Sequence, residues 1–266
     1  MRPQVLFCHY PFGKDLTRLR AYREAHRYDG VEWNLATWRL MMPAAPRRRL
    51  FEAWRAASPL CSVHAPYTDL EIGYRDPDYA AAACRILKDY IDAAADLGAH
   101  HINLHVGTYR PDPSELDGTV IRRSVTDLLE YGARRRVPIT LENLAGGPTS
   151  VPEEFAAILR DTGAPVTFDL GHAAGCKWVL EGHGTVLDFL NAIPSPILAS
   201  HVYQIERKDT HFAPKSVEAF GPVLAGLIEK RCSFWVLELH SLESLEQTRR
   251  VVDQYLDSAE RQAPST

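Results

Sequence analysis

Three side chains that commonly bind metal ions or carry protons, His201, Asp209 and His211, fall within eleven residues of one another in the stretch ASHVYQIERKDTHF. Six more of the same types are spread along the chain: His64, His105, Glu142, Asp169, His172 and Glu238. Imidazole and carboxylate donors without a thiolate suit Zn(II), Mn(II), Fe(II) or Co(II). Carboxylates can also bridge two ions, which then clamp attacking and leaving oxygens about 4 Å apart. Nine donors exceed what one ion needs. The pattern therefore implies one to three divalent ions per chain, with any unused donors left as acids, bases or supporting groups.

Such a set does chemistry only if the fold brings it together. Short apolar, β-branched or aromatic runs recur along the chain: VLFCHY, GVEWNL, CSVHAP, HINLHVG, PITLEN, PVTFDLGH, ILASHVYQI and SFWVLELHS. Between them lie segments of helical periodicity. The clearest is DPDYAAAACRILKDYIDAAADLGA, where Ala83, Ile86, Leu87, Tyr90 and Ile91 follow i, i+3, i+4 spacing. Parallel neighbouring strands need long crossovers, so strand alternating with helix eight times predicts a closed (β/α)8 TIM barrel. An open doubly wound sheet is the alternative, but no glycine-rich phosphate turn follows the first run. Residues 1–258 read as one barrel domain and 259–266 as a disordered tail.

In such a barrel the strands open their C-terminal ends onto one face, where active sites sit. His64 ends the third run, His105 the fourth, Glu142 the fifth, Asp169 and His172 the sixth, His201 the seventh and Glu238 the eighth, with Asp209 and His211 in the loop after the seventh. A lone histidine at a strand end is often just a hydrogen-bonding residue, and a lone Glu142 could be a buried ion-pair partner. Nine on one rim are harder to explain that way, because buried carboxylates are costly unless paired or metal-bound.

The formal net charge of −4 supplies no global cationic field for nucleic acid or an anionic membrane. Five isolated cysteines, no basic-then-apolar leader and no apolar run near the roughly 20 residues of a membrane span predict a reduced, cytoplasmic protein.

The motifs HAPY (64–67), NLHVG (103–107), LEN (141–143), FDLGH (168–172), His201, DTH (209–211) and LE (237–238) resemble, in order, those of the xylose isomerase-like TIM-barrel superfamily. This superfamily includes endonuclease IV and many sugar or sugar-phosphate isomerases and epimerases. By resemblance to endonuclease IV, His64, His105 and Glu142 would hold one metal, Glu142, Asp169, His201 and Glu238 a second, and His172, Asp209 and His211 a third. The single-metal epimerases imply only Glu142, Asp169, His201 and Glu238 as ligands, with the two glutamates also moving protons between adjacent carbons.

The chain departs from its relatives around the seventh loop. VYQIERKDTH is short, and HFAPKSVEAFG replaces the Gly-Glu-Gly turn that follows in many of them. Tyr67 occupies the place where endonuclease IV inserts an aromatic residue at a lesion. Trp33, Trp38 and Arg39 could line a sugar pocket, stack on a base or, for the tryptophans, simply cover the barrel end. Arg207 and Lys208 could hold a phosphate or be solvated. His9, His240 and Lys177 are further substrate-contact candidates, whereas Cys176, with no neighbouring base, reads as inert.

The expected function is divalent-metal-dependent isomerisation or epimerisation of a small sugar or sugar phosphate through a metal-stabilised enediolate, with Glu142 and Glu238 as base and acid. Phosphodiester hydrolysis at abasic sites in DNA and sugar-acid dehydration use the same barrel. A silent binding protein would have little use for intact donors at every strand end. The substrate, the metal and the oligomeric state are not encoded in any motif.

Overall fold

The strand-forming runs become strands because their β-branched and aromatic residues can be buried on both faces, as a parallel sheet covered by helices requires. In the computed structural model, which describes residues 2–35, 41–68, 70–107, 113–208 and 210–262, eight of these runs form a closed parallel barrel. The barrel strands are β1 (Gln4–Cys8), β2 (Gly30–Asn34), β3 (Leu60–His64), β4 (Ile102–Leu104), β5 (Ile139–Glu142), β6 (Val166–Asp169) and β7 (Ile197–His201), and the barrel is completed by β10 (Phe234–Leu237). Closure pairs the first strand with the last, Gln4 opposite Phe234 and Phe7 opposite Leu237.

The helices between strands start and stop where local chemistry directs. Helices α1 (Leu16–Ala25) and α2 (Ala44–Ala57) flank β2, and α3 (Pro77–Leu97) follows β3. Asp76 caps α3 by accepting from the backbone N–H groups of Asp78 and Tyr79, Pro77 stands at its first position, and Gly98 ends it at φ 75°. Asp117 caps α4 (Gly118–Arg135) in the same way, accepting from Thr119 and Val120. The rest of the helical layer is α5 (Pro152–Thr162), α6 (Leu170–Gly175), α7 (Lys177–Leu180), α8 (Val186–Ala192), α9 (Val217–Glu229) and α10 (Leu242–Gln262).

Period-2 alternation sorts the side chains. Outward residues such as Val31, Trp33, Val63, Phe168 and Trp235 join the main core between strands and helices, while Leu6, Ala199, Phe234 and Val236 form a smaller cluster of their own. Polar residues share the interior: Ser62 donates to Glu32, and Thr140 and Thr167 are hydrogen bonded to each other at 2.7 Å.

One feature was not expected from the sequence. The loop after β7 contains a two-stranded antiparallel hairpin, β8 (Ile205–Arg207) with β9 (Thr210–Phe212), packed on α6. Lys208 in its tight turn takes a left-handed φ of 50°, as short hairpin connections commonly demand. At the other end of the chain α10 runs through Gln262, and Glu260 pairs with Arg2 at 2.9 Å. Among the described residues no helix is long and apolar enough to cross a membrane.

Candidate metal centre and active site

Inward-facing ends of β3 to β7 and the residues just past β4 and β10 deliver donors to one buried spot. Eight of the nine expected donors lie there: His64, His105, Glu142, Asp169, His172 and His201 are buried, Glu238 is 6% exposed, and His211 reaches in from the hairpin. Asp209 lies outside the described residues, as do Trp38 and Arg39.

Glu142 is the hub. Its Oε2 lies 3.0 Å from His105 Nε2 and 3.5 Å from His64 Nε2, and it also accepts from the side-chain amide of Asn103. Its Oε1 lies 3.1 Å from His172 Nδ1 and 3.3 Å from His201 Nδ1. His201 Nδ1 in turn faces Asp169 Oδ2 at 3.3 Å and Glu238 Oε2 at 3.2 Å. The result is a chain of donor groups that share members: His64, Glu142 and His201; Glu142, Asp169 and His172; Asp169, His201 and Glu238; and His172, Glu206 and His211.

Several of these contacts are close without being hydrogen bonds. Glu142 Oε1, both ring nitrogens of His201 and Glu32 Oε1 are buried with no hydrogen-bond partner among the described residues, despite neighbours just over 3 Å away. Glu142 Oε1 and His201 Nδ1 lie within the donor groups above, and buried polar atoms left unpaired there are what a bound cation would satisfy, so the donor set fits a divalent metal.

The charges lead to the same reading. Burial opposes the charge on Glu142, yet the histidines around it, His201 foremost, hold its carboxyl well below the usual range. Burial would lower His64, but Glu142 pushes it up to about 9. His172 and His201 are likewise driven well above their ordinary values against the cost of burial, chiefly by Asp169 and Glu142 respectively. Burial wins at His105, which is lowered, and at Asp169, which is raised. With no metal, the carboxylates keep their charge only by holding protons on neighbouring imidazoles. A divalent ion supplies the same compensation and releases those protons.

The cleft above the donors is lined by Tyr10, Tyr67, Glu206 and His240 as well. Tyr67 stacks on His105 with ring centroids 4.6 Å apart, and His240 sits between Tyr10 at 5.1 Å and His211 at 4.8 Å. Other rim candidates lie elsewhere. Trp33 is an outward residue of β2, fully buried and stacked on Trp54 at 4.4 Å, so it belongs to the packing layer and not to the mouth. His9 accepts from the Asn34 backbone N–H and turns toward Trp33, leaving its neighbour Tyr10 at the cleft. Lys177, Arg207 and Lys208 are exposed and are not among the lining residues, while Cys176 is buried and donates to the Ala173 carbonyl.

Sequence reasoning missed Glu32, Tyr10, Tyr203 and Glu206. Glu32 could have been found by alternation, since it faces inward on β2, but no other donor neighbours it in the sequence. Tyr203 donates to Asp169 Oδ2 at 3.1 Å and stacks on His211 at 4.0 Å, a role visible only once the hairpin is folded.

A closed parallel barrel with a histidine and carboxylate cluster at its C-terminal mouth defines the class. The chain belongs to the xylose isomerase-like TIM barrel family, whose model matches residues 19–238. It is 25% identical to an uncharacterized protein of Methanocaldococcus jannaschii over 194 residues, 73% of this chain and 79% of the other. It is 32% identical to a probable endonuclease 4 of Mycobacterium leprae over 146 residues, and so spans about half, 54%, of that relative's length. Among solved structures, a D-tagatose 3-epimerase-like protein superposes with a TM-score of 0.77 at 18% identity, covering 97% of this chain and 98% of the other. A D-psicose 3-epimerase from Clostridium cellulolyticum gives a TM-score of 0.72 at 13% identity, covering 96% and 98%. At such identities the structural likeness establishes the fold alone.

Proposed function

We propose that this protein isomerises or epimerises a small sugar or sugar phosphate by moving a proton between adjacent carbons, with Glu142 and Glu238 as the proton carriers. One observation carries the reading. Both carboxylates approach the same atom, His201 Nδ1, at 3.3 and 3.2 Å, on the floor of a cleft walled by Tyr10, Tyr67 and His240. Two carboxylates that close can flank a single substrate carbon, one taking the proton next to a carbonyl and the other returning a proton to the neighbouring carbon or the opposite face.

A bound divalent ion, Zn, Mn, Fe or Co by the donor chemistry, would supply Lewis acidity toward the substrate carbonyl and its neighbouring hydroxyl. Glu142, Asp169, His201 and Glu238 would hold it, and the histidines at their margin would give up protons as it binds. Tyr67 and Tyr10 present aromatic faces with a polar tip, which suits a polyhydroxy ligand. The names of the neighbouring epimerases support a sugar substrate.

The test is exchange. With Mn(II) or Zn(II) in deuterium oxide, a panel of free and phosphorylated ketoses should yield at least one sugar that gains carbon-bound deuterium. No exchange across the panel would count against proton transfer.

A second reading, phosphodiester hydrolysis at abasic DNA, is favoured by the outer group of His172, Glu206 and His211, which one-ion proton transfer does not require, and by the mycobacterial relative's name. Salt-sensitive binding and cleavage of an abasic duplex would establish it, because phosphate contacts release counterions. The net charge of −4 and a cleft lining that includes no Arg or Lys among the described residues favour the small substrate.

A further inference from the structure

At the outer edge of the cleft, His172 from α6 and Glu206 and His211 from the hairpin each place a donor atom within 4.8 Å of the others. Ring orientation decides whether these atoms offer lone pairs. His172 Nδ1 lies 3.0 Å from the Asn143 carbonyl oxygen, and His211 Nδ1 lies 2.7 Å from the Glu238 carbonyl oxygen. A carbonyl oxygen only accepts, so each Nδ1 carries a hydrogen and each neutral ring keeps its lone pair on Nε2. Such backbone partners commonly fix the tautomer of metal-binding histidines.

The Nε2 of His172 faces Glu206 Oε2 at 3.1 Å. A proton on Nε2 bridges such a contact in the metal-free protein, and a divalent ion can take its place. Glu206 stands directly opposite His211 in the hairpin register, so strand pairing itself puts carboxylate and imidazole on one face. The His211 ring is clamped between Tyr203, at 4.0 Å and 5° from parallel, and His240 at 4.8 Å.

We infer that Glu206 is a metal ligand, completing with the Nε2 atoms of His172 and His211 an outer site for a borderline divalent cation such as Zn(II) or Co(II). The inference rests on the reading of the cleft as a metal centre. Family resemblance assigns the carboxylate of this outer group to Asp209. Glu206 stands on β8 and would tie the ion to the hairpin at the rim.

The experiment strips the full-length protein with chelator, reloads it with Co(II), and measures ions per chain by mass spectrometry alongside the visible absorption of bound Co(II). Glu206→Gln is expected to hold one ion fewer than wild type and to lose part of the absorption, with unchanged circular dichroism. Wild-type stoichiometry and an unchanged spectrum in Glu206→Gln would overturn the assignment while leaving the metal reading intact. A wild-type protein that binds no ion would defeat the metal reading and this proposal with it. Should the Gln variant fail to fold, Glu206→Asp keeps the charge and shortens the reach. An outer-ion affinity at least about tenfold weaker supports the assignment, and an unchanged affinity refutes it.

Discussion

The Oε1 atom of Glu32 lies 3.1 Å from Nε2 of His201, on the side of the imidazole away from the donor cluster. The other ring nitrogen faces Glu142, Asp169 and Glu238. A carboxylate close behind an imidazole that holds a metal, as proposed for His201, orients the ring and raises its basicity. Glu32→Gln is therefore expected to weaken the tightest-bound ion by about 10–100-fold, measured by competition with a chromophoric chelator. Unchanged affinity would show that Glu32 only fills the barrel interior.

Removing a proposed proton carrier should affect the reaction more than the fold. Glu238 is 6% exposed at the cleft floor, and replacing it with Gln keeps its shape. Glu238→Gln is expected to lower kcat by about 100-fold or more with little change in thermal midpoint. Retained activity would exclude it as acid or base.

Gly171 precedes His172 and abuts the ring of Tyr203, so an added Cβ would overlap that ring. Tyr203 would have to leave both Asp169 and the face of His211. Gly171→Ala is expected to cost about 1–3 kcal/mol by overpacking and to reduce bound metal. A variant with wild-type stability and metal content would show that the ring can move freely.

His101 is fully buried, both its ring nitrogens lack a hydrogen-bond partner among the described residues, and burial lowers it to about 4. In the unfolded chain an ordinary histidine takes up its proton near 6.5. Stability from the neutral ring is thus full above pH 6.5, and roughly 3 kcal/mol of it is lost progressively as the pH falls from 6.5 to 4. In His101→Leu, urea denaturation of the metal-free protein should lose less stability than wild type between pH 6.5 and 4. Parallel pH dependences would mean that His101 does not titrate on unfolding.

Much of the centre was legible because a barrel strand obeys two local rules. Alternation points every second residue inward, and parallel strands end on one face, so His64, Glu142, Asp169 and His201 could be placed without knowing their neighbours. The eight-fold pattern of strand and helix is likewise a property of the linear chain, set by hydrophobic period and by caps such as Asp76 and Asp117.

Trp33 obeys the same alternation. Its neighbour Glu32 faces in, so Trp33 faces out onto Trp54, and the same alternation would have moved it from the rim to the core. The chemistry of each strand end and the fold class were determined by the sequence itself, because both depend on neighbours a few residues apart. Tertiary structure alone decided the rest. Glu32 meets His201 across the barrel interior, and Glu206 meets His172 through a hairpin, because closure and strand pairing bring together residues whose separation along the chain carries no signal.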